Sequence, residues 1–391
     1  MRAWRRLLRP RLAALPVLPS RSFTTKTHER VQVQCGSSGH VNIDLFNVAA
    51  SSPNAPVLIH LPPFASGDDT APRDLPASFQ EWPIARINYR WAEQADEQLP
   101  YSGWPTPIHD TAFAYEWLVE NLAPSSTARR DIYVYGSFFG ASLALSLALT
   151  ECHGHARFGV RGVAAYNGIY NWTMFLHDHP VHKYKRKGLS YLTERPLADG
   201  LHLADVPEQL PSLFRTPANL FDPFISPSLL FHNPGLLVPG DFDGSPASSP
   251  ISDMVARLVA GEDGDADSIL PIKVPRKSHL LFPPRTSTLK IPSTLLMHDK
   301  FIARTPGGRI SKRKPRGNTF MAQAEELAEL MRRSMEKLEL KERSNWDDDF
   351  QTWEAKALRR IQVADVGVEH EGLSLGEAGE LRLADWLEEF I

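Results

Sequence analysis

The segment spanning residues 131–151, DIYVYGSFFGASLALSLALTE, constrains the fold more than any other part of the chain. Ile132, Tyr133, Val134 and Tyr135 are a run of β-branched and aromatic residues that reads as a buried strand. The run breaks at Gly136, and an Ala/Leu/Ser-rich stretch then predicts a helix starting near Gly140. A strand and a helix that are both apolar throughout leave neither element a solvent face. The pair therefore belongs at the centre of a sheet covered on both sides. The uncharged run from Phe138 to Thr150 is too short to span a bilayer.

The flanking segments agree. RVQVQCGSSGHVNIDLFNV alternates apolar and polar residues on either side of a Gly-Ser-Ser-Gly turn, which predicts a hairpin. APVLIHLPPF and IARINYRW read as two more buried strands, and RGVAAYNGIYNW as another. Between them, PTPIHDTAFAYEWLVENLA places Ile108, Ala112, Tyr115 and Leu118 at helical spacing. A hairpin followed by alternating strands and helices predicts the α/β class, with a mostly parallel central sheet and helices on both faces.

Regularity is lost over residues 174–290, where prolines and glycines crowd 207–250 and GEDGDAD (261–267) is acidic. This stretch is expected to be a cap or lid insertion, since closing a longer loop adds little entropy cost. It divides the core into 24–173 and 291–391. In the second part IPSTLLMHDKF resumes the sheet, and a basic loop at 307–318 leads into a long helix over 319–343. The stripe of Phe320, Ala324, Leu327, Met331, Met335 and Leu338 on that helix suits core packing or docking to a mitochondrial assembly. RRIQVADVGVEHEG predicts the last strand, and EAGELRLADWLEEFI a closing amphipathic helix.

Residues 1–23 carry Arg2, Arg5, Arg6, Arg9, Arg11 and Arg21 with no acidic residue, and Trp4, Leu7, Leu8 and Leu12 share one helical face. That is the composition of a mitochondrial transit peptide, so the matrix is the expected location. The net charge of −3 argues against general nucleic-acid binding, and Cys35 and Cys152 are too few for a disulfide framework or a cysteine metal site. No nucleotide or zinc-protease motif is present, and no cofactor is expected. Asp263, Asp265 and Asp267 lack the glycine and glutamate of a calcium loop. The histidines 177, 179 and 182 have alternate spacing but no accompanying ligand set, and no metal site is assigned.

In order along the chain, VLIHLPPF, NYRWAEQ, WPTPIHDTAFAYEWL, YVYGSFFGASLAL, DPFISPSLL and VEHEG resemble the α/β-hydrolase family, most closely the esterase branch related to hormone-sensitive lipase. The likeness is strong over residues 30–171 and loose in the C-terminal third, and Tyr89, Arg90, Trp104, Pro105, Asp110 and Trp117 are its branch-specific part. Such enzymes need a serine on a strained strand-to-helix turn, a histidine, an acid, and backbone N–H groups for the oxyanion.

Here the turn pattern Gly-x-Ser-x-Gly runs from Gly136 to Gly140, and Phe138 occupies its centre. Phenylalanine has no nucleophilic atom for a base to activate. Ser137 stands one position early. His60 matches the start of the family's His-Gly-Gly-Gly loop, but Leu61, Pro62 and Pro63 replace the glycines, and proline has no N–H. His370 sits where the resemblance places the histidine, while the acid is either Asp299 or Asp365.

Two readings follow. In the first the chain is a mitochondrial pseudo-hydrolase that binds a small apolar or acyl ligand, or a protein partner, with His60, Phe138 and Phe139 lining the pocket. In the second it is a carboxylic-ester or thioester hydrolase that uses Ser137, His370 and Asp299.

Overall fold

A computed structural model describes residues 28–36, 39–65, 76, 79, 81–91, 103–124, 128–182, 203, 205–242, 275–300, 317–340, 351–368 and 375–389. The transit peptide expected over 1–23, the acidic segment 261–267, most of the basic loop and His370 lie outside them.

Eight strands form one sheet: β1 (His28–Gln34), β2 (His40–Phe46), β3 (Val57–Leu61), β4 (Ile84–Asn88), β5 (Arg130–Ser137), β6 (Phe158–Tyr166), β9 (Ser293–Lys300) and β10 (Ile361–Val368). Their spatial order is β1-β2-β4-β3-β5-β6-β9-β10. The β1–β2 hairpin is antiparallel and joins β4 antiparallel, and every later pair is parallel. Strands β3 and β4 are buried along their whole length, as expected of parallel strands covered on both faces.

Side chains alternate across β5, which splits the core into two clusters. Ile132 and Val134 face helices α1 (Thr106–Leu122) and α2 (Phe138–Glu151), whereas Tyr133 and Tyr135 face the closing helix α6 (Glu377–Glu388) through Trp386 and its neighbours. Helix α2 is buried from Phe138 to Leu149, so its lack of an amphipathic pattern follows from its central position.

Helix α4 (Phe320–Met335) starts where the Thr319 hydroxyl accepts the Ala322 N–H at 3.1 Å. It ends at Met335 and continues as a π-helical turn, Glu336–Leu340. Ala324, Leu327, Met331 and Met335 are buried in the main cluster. That stripe is core packing, and it cannot also serve as a docking face. Helix α5 (Gln351–Arg360) precedes β10 and was not expected from the sequence.

Within the expected insertion, residues 205–231 pack closely on the ends of the sheet strands. Helix α3 (Val206–Phe214) buries Val206, Leu210, Leu213 and Phe214. The Leu213 carbonyl accepts both the Trp91 indole N–H and the Trp104 backbone N–H at 3.1 Å. Trp172 N–H donates to the Ser226 hydroxyl at 3.0 Å, and Ser146 donates to the Phe224 carbonyl at 2.7 Å. A short ribbon of β7 (His232–Asn233) and β8 (Ser278–His279) follows. Among the described residues no helix is long and apolar enough to cross a membrane.

Candidate functional site

Strand β5 runs directly into α2 with no intervening loop: Ser137 ends the strand and Phe138 begins the helix. Phe138 has φ of 50°, in the left-handed region that L residues other than Asn and Asp rarely enter. Such a backbone costs on the order of 1–3 kcal/mol and persists only where surrounding structure enforces it.

Two glycines do the enforcing. A Cβ at Gly136 would lie 2.5 Å from the Gly140 carbonyl oxygen, and one at Gly140 would overlap the carbonyl oxygens of Leu61 and Pro62. The turn is thus clamped between its own helix and the end of β3. The Tyr89 hydroxyl holds the Pro62 carbonyl at 2.7 Å from a third strand end.

Phe138 and Phe139 are 1% and 3% exposed, and their rings stack at 4.4 Å. Phe64 meets both edge-on, at 5.4 and 5.3 Å, and Phe320 approaches Phe138 at 6.1 Å. Phe139 also contacts Trp91 and Trp172, each at 5.3 Å, and Phe214 from α3 closes on Trp172 at 4.9 Å. Each such pair adds about 0.5–1.5 kcal/mol beyond burial. Among the described residues the turn is surrounded by packed aromatic rings.

Sequence reasoning missed this shell, although a signal was present. Phe64, Trp91, Phe138 with Phe139, and Trp172 each follow the C-terminal end of a parallel strand, within LPPF, NYRW, YGSFF and YNW. Parallel strands bring those ends side by side, so aromatics at matching ends converge. Arg90, Trp104 and Asp110 tie the segments that carry this shell. Arg90 donates to Asp110 through its backbone N–H at 2.8 Å, Nε at 2.9 Å and Nη2 at 2.6 Å, with Asp110 fully buried. These bonds raise the Arg90 pKa above its ordinary value, outweighing burial. Trp104 donates its indole N–H to Asp222 at 3.1 Å.

The other candidates lie on the opposite face of the sheet. Ser137 shares the strand parity of Tyr133 and Tyr135, is 1% exposed, and its hydroxyl has no hydrogen-bond partner among the described residues. It sits at the N-cap of α2 without making a side-chain cap bond. His60 is fully buried and stacks on Tyr135 at 5.8 Å, with neither ring nitrogen hydrogen-bonded among the described residues. Burial, reinforced by the Arg86 charge, holds its pKa well below the usual histidine range, so the ring is neutral. The expected grouping of His60 with Phe138 and Phe139 is therefore corrected. On β3, His60 takes the parity of Leu58 and faces the second cluster, while both phenylalanines belong to the first.

Asp299 is buried at the end of β9 and accepts from the Tyr166 hydroxyl at 2.9 and 2.8 Å and from Asn167 Nδ2 at 2.7 Å. Its backbone N–H returns a bond to Asn167 Oδ1 at 2.9 Å. Asn167 adopts φ of 46°, a conformation its short amide tolerates. Ser137 pairs with Tyr166 and Tyr166 with Met297, so Asp299 stands two strands across from Ser137 and two residues further along, about 12 Å by strand spacing and rise. Asp365 is exposed and accepts from the Gly367 N–H at 3.1 Å. In the histidine cluster, His179 Nδ1 accepts from the Val181 N–H, and His182 Nε2 contacts the Met174 carbonyl at 2.7 Å.

The residues directly after β3, 62–65, include no glycine. Pro62 and Pro63 have no N–H, and the Leu61 and Pro62 carbonyls face the turn at Gly140.

An antiparallel hairpin feeding a parallel sheet, the strand order given above, and a tight positive-φ turn from the central strand into a buried helix define the α/β-hydrolase fold. A scan against protein-family models found no match, and neither did a search of curated proteins. Among solved structures, the chain is similar to carboxyl esterase 2 of the mycorrhizal fungus Tuber melanosporum, at 13% identity and TM-score 0.48, covering 98% of this chain and 93% of that one. It is also similar to brefeldin A esterase, a bacterial homologue of human hormone-sensitive lipase, at 13% identity and TM-score 0.47, covering 96% and 77%. A third is an esterase of Pyrobaculum calidifontis, at 13% identity and TM-score 0.47, covering 93% and 83%.

Proposed function

We propose that this α/β-hydrolase-fold protein acts by binding and not by ester hydrolysis. The observation that carries the reading is Phe138: it occupies the apex of the strained turn, at φ of 50° and 1% exposure, where the fold presents a nucleophile. No base activates a phenyl ring, and the rings around it leave the acyl position filled. The loop after β3 supports the same reading, because loss of a single oxyanion donor already lowers rate by about 10²–10³. A ligand or protein partner then binds elsewhere on the scaffold. The arginine-rich residues 1–23 support action in the mitochondrial matrix. Protease protection of the tagged chain in isolated mitochondria tests that location, and a cytosolic distribution would sink it.

The competing hydrolase built on Ser137, His370 and Asp299 makes a distinct prediction. Purified protein incubated with a fluorophosphonate probe and short-chain nitrophenyl esters is expected to give neither labelling nor turnover. Labelling abolished by Ser137→Ala would overturn the binding reading.

A further inference from the structure

Arg130 begins β5, and Ser137 ends it, so the two are about 23 Å apart at strand rise. Arg130 is 5% exposed. Its Nε donates to the Ala55 carbonyl at 2.8 Å and its Nη1 to the Leu122 carbonyl at 2.9 Å. Its Nη2 is shielded and has no acceptor among the described residues. None of the described carboxylates pairs with it: the adjacent Asp131 is taken by Arg129 at 2.8 Å and Arg161 at 2.9 Å. Phe158 contributes only a ring face 5.8 Å from the guanidinium carbon. Burial lowers the Arg130 pKa from its ordinary value, yet a guanidinium stays charged in proteins. The molecule thus carries a buried cation met by two neutral carbonyls and one ring face, with no anion among the described residues.

The same arginine lines a cavity of about 670 Å³ between the end of β2, the loop after it and the last turns of α1. Leu45, Val48, Trp117 and Leu122 form its apolar wall. His28 and Glu29 also line it and are exposed, where solvent and salt screen their charges. A volume in this range, with an apolar wall beside a buried cation and with Glu29 at its exposed rim, has the size of a small-molecule site.

We propose that this cavity binds an amphipathic monoanion, a carboxylic acid with a short apolar chain, whose head group neutralises Arg130 and whose chain lies against Trp117 and Val48. The site is separate from the filled turn at Phe138 and does not rest on the loss of hydrolysis there.

Calorimetric titration of the full chain with octanoate, octanol and inorganic phosphate tests it. One octanoate is expected per chain, bound at least about tenfold more tightly than the uncharged octanol or the tail-less phosphate. Ala49→Trp, an exposed wall residue whose new indole fills the space, is expected to abolish binding with the thermal transition retained. Arg130→Met is expected to reduce octanoate to the octanol level, and Ala49→Trp decides the matter if Arg130→Met does not fold. Equal affinity for octanoate and octanol, phosphate binding as tight as octanoate, octanoate binding that survives Ala49→Trp, or no binding of octanoate would each overturn the proposal.

Discussion

At the end of β5 the two faces of the sheet meet opposite surroundings. On one, Phe138 and Phe139 pack into a continuous aromatic shell. On the other, Ser137 and His60 present buried polar atoms with no partner among the described residues, and the Asp299 carboxylate is engaged by Tyr166 and Asn167. The fold needs the strained backbone on which both faces depend, because Gly136 and Gly140 leave it no alternative. Ester hydrolysis on this fold would need a hydroxyl on the first face. This chain keeps its hydroxyl on the second, one residue away, and strand alternation converts that single step into the full thickness of the sheet.

Breaking the clamp has the largest expected effect. In Gly140→Ala the new methyl meets backbone carbonyls on β3 that cannot swing aside, and a loss above about 4 kcal/mol or failure to accumulate soluble protein is expected. Urea denaturation measures it, and a near-neutral Gly140→Ala would show that the turn is not clamped.

Emptying the aromatic face comes next. Phe138→Ala removes a fully buried ring and is expected to cost about 3–5 kcal/mol. Phe138→Gly removes the same ring but relaxes the positive φ, so it is expected to exceed the alanine variant by about 1 kcal/mol. At an unstrained helical position the order is the reverse. Finding alanine the more stable of the two would remove the strain argument.

On the polar face His60 sets a pH dependence. Its folded pKa is depressed, so the unfolded chain binds the extra proton, and stability present above the ordinary value of 6.5 is lost as pH falls below it. The loss grows as pH falls further below 6.5, for as long as the folded ring stays neutral. His60→Leu is expected to flatten that slope, and an unchanged slope would place the proton uptake elsewhere.

The smallest effect belongs to Ser137→Ala. Removing a buried hydroxyl without a partner is expected to leave stability unchanged or raised by up to about 1 kcal/mol. A loss above that would show that the hydroxyl makes a bond that sharpens its role.

The sheet and its covering helices were legible because period-two and helical spacings survive without tertiary information. The hairpin, the helix at 106–122, the strand into helix at 130–151 and the last strand all follow from local pattern. So was the place of Phe138 at the apex of the turn, since the glycines that frame it are fixed by sterics. The facing of His60 was not, because the Leu-Ile-His-Leu run is apolar on both sides of the histidine and offers no alternation to set its parity. Asn167 was also missed: its role depends on a positive φ and on Asp299, far along the chain. Helix 351–360 was lost because its apolar positions are sparse among charges. Arg130 is invisible as a site from sequence, since only the fold reveals which arginines lack a carboxylate.

The residue at the apex of the turn also has a genetic meaning. Phenylalanine and serine codons differ at a single base, so one transition would place a hydroxyl at position 138 on a backbone already bent to present it. Selection meets that change with a void where the ring had been, among Phe64, Phe139 and Phe320, and with prolines in the facing loop that offer no N–H to a reacting oxygen. A serine at position 138 is one base away in the gene and several residues away in the protein from a site that could hold a reacting ester.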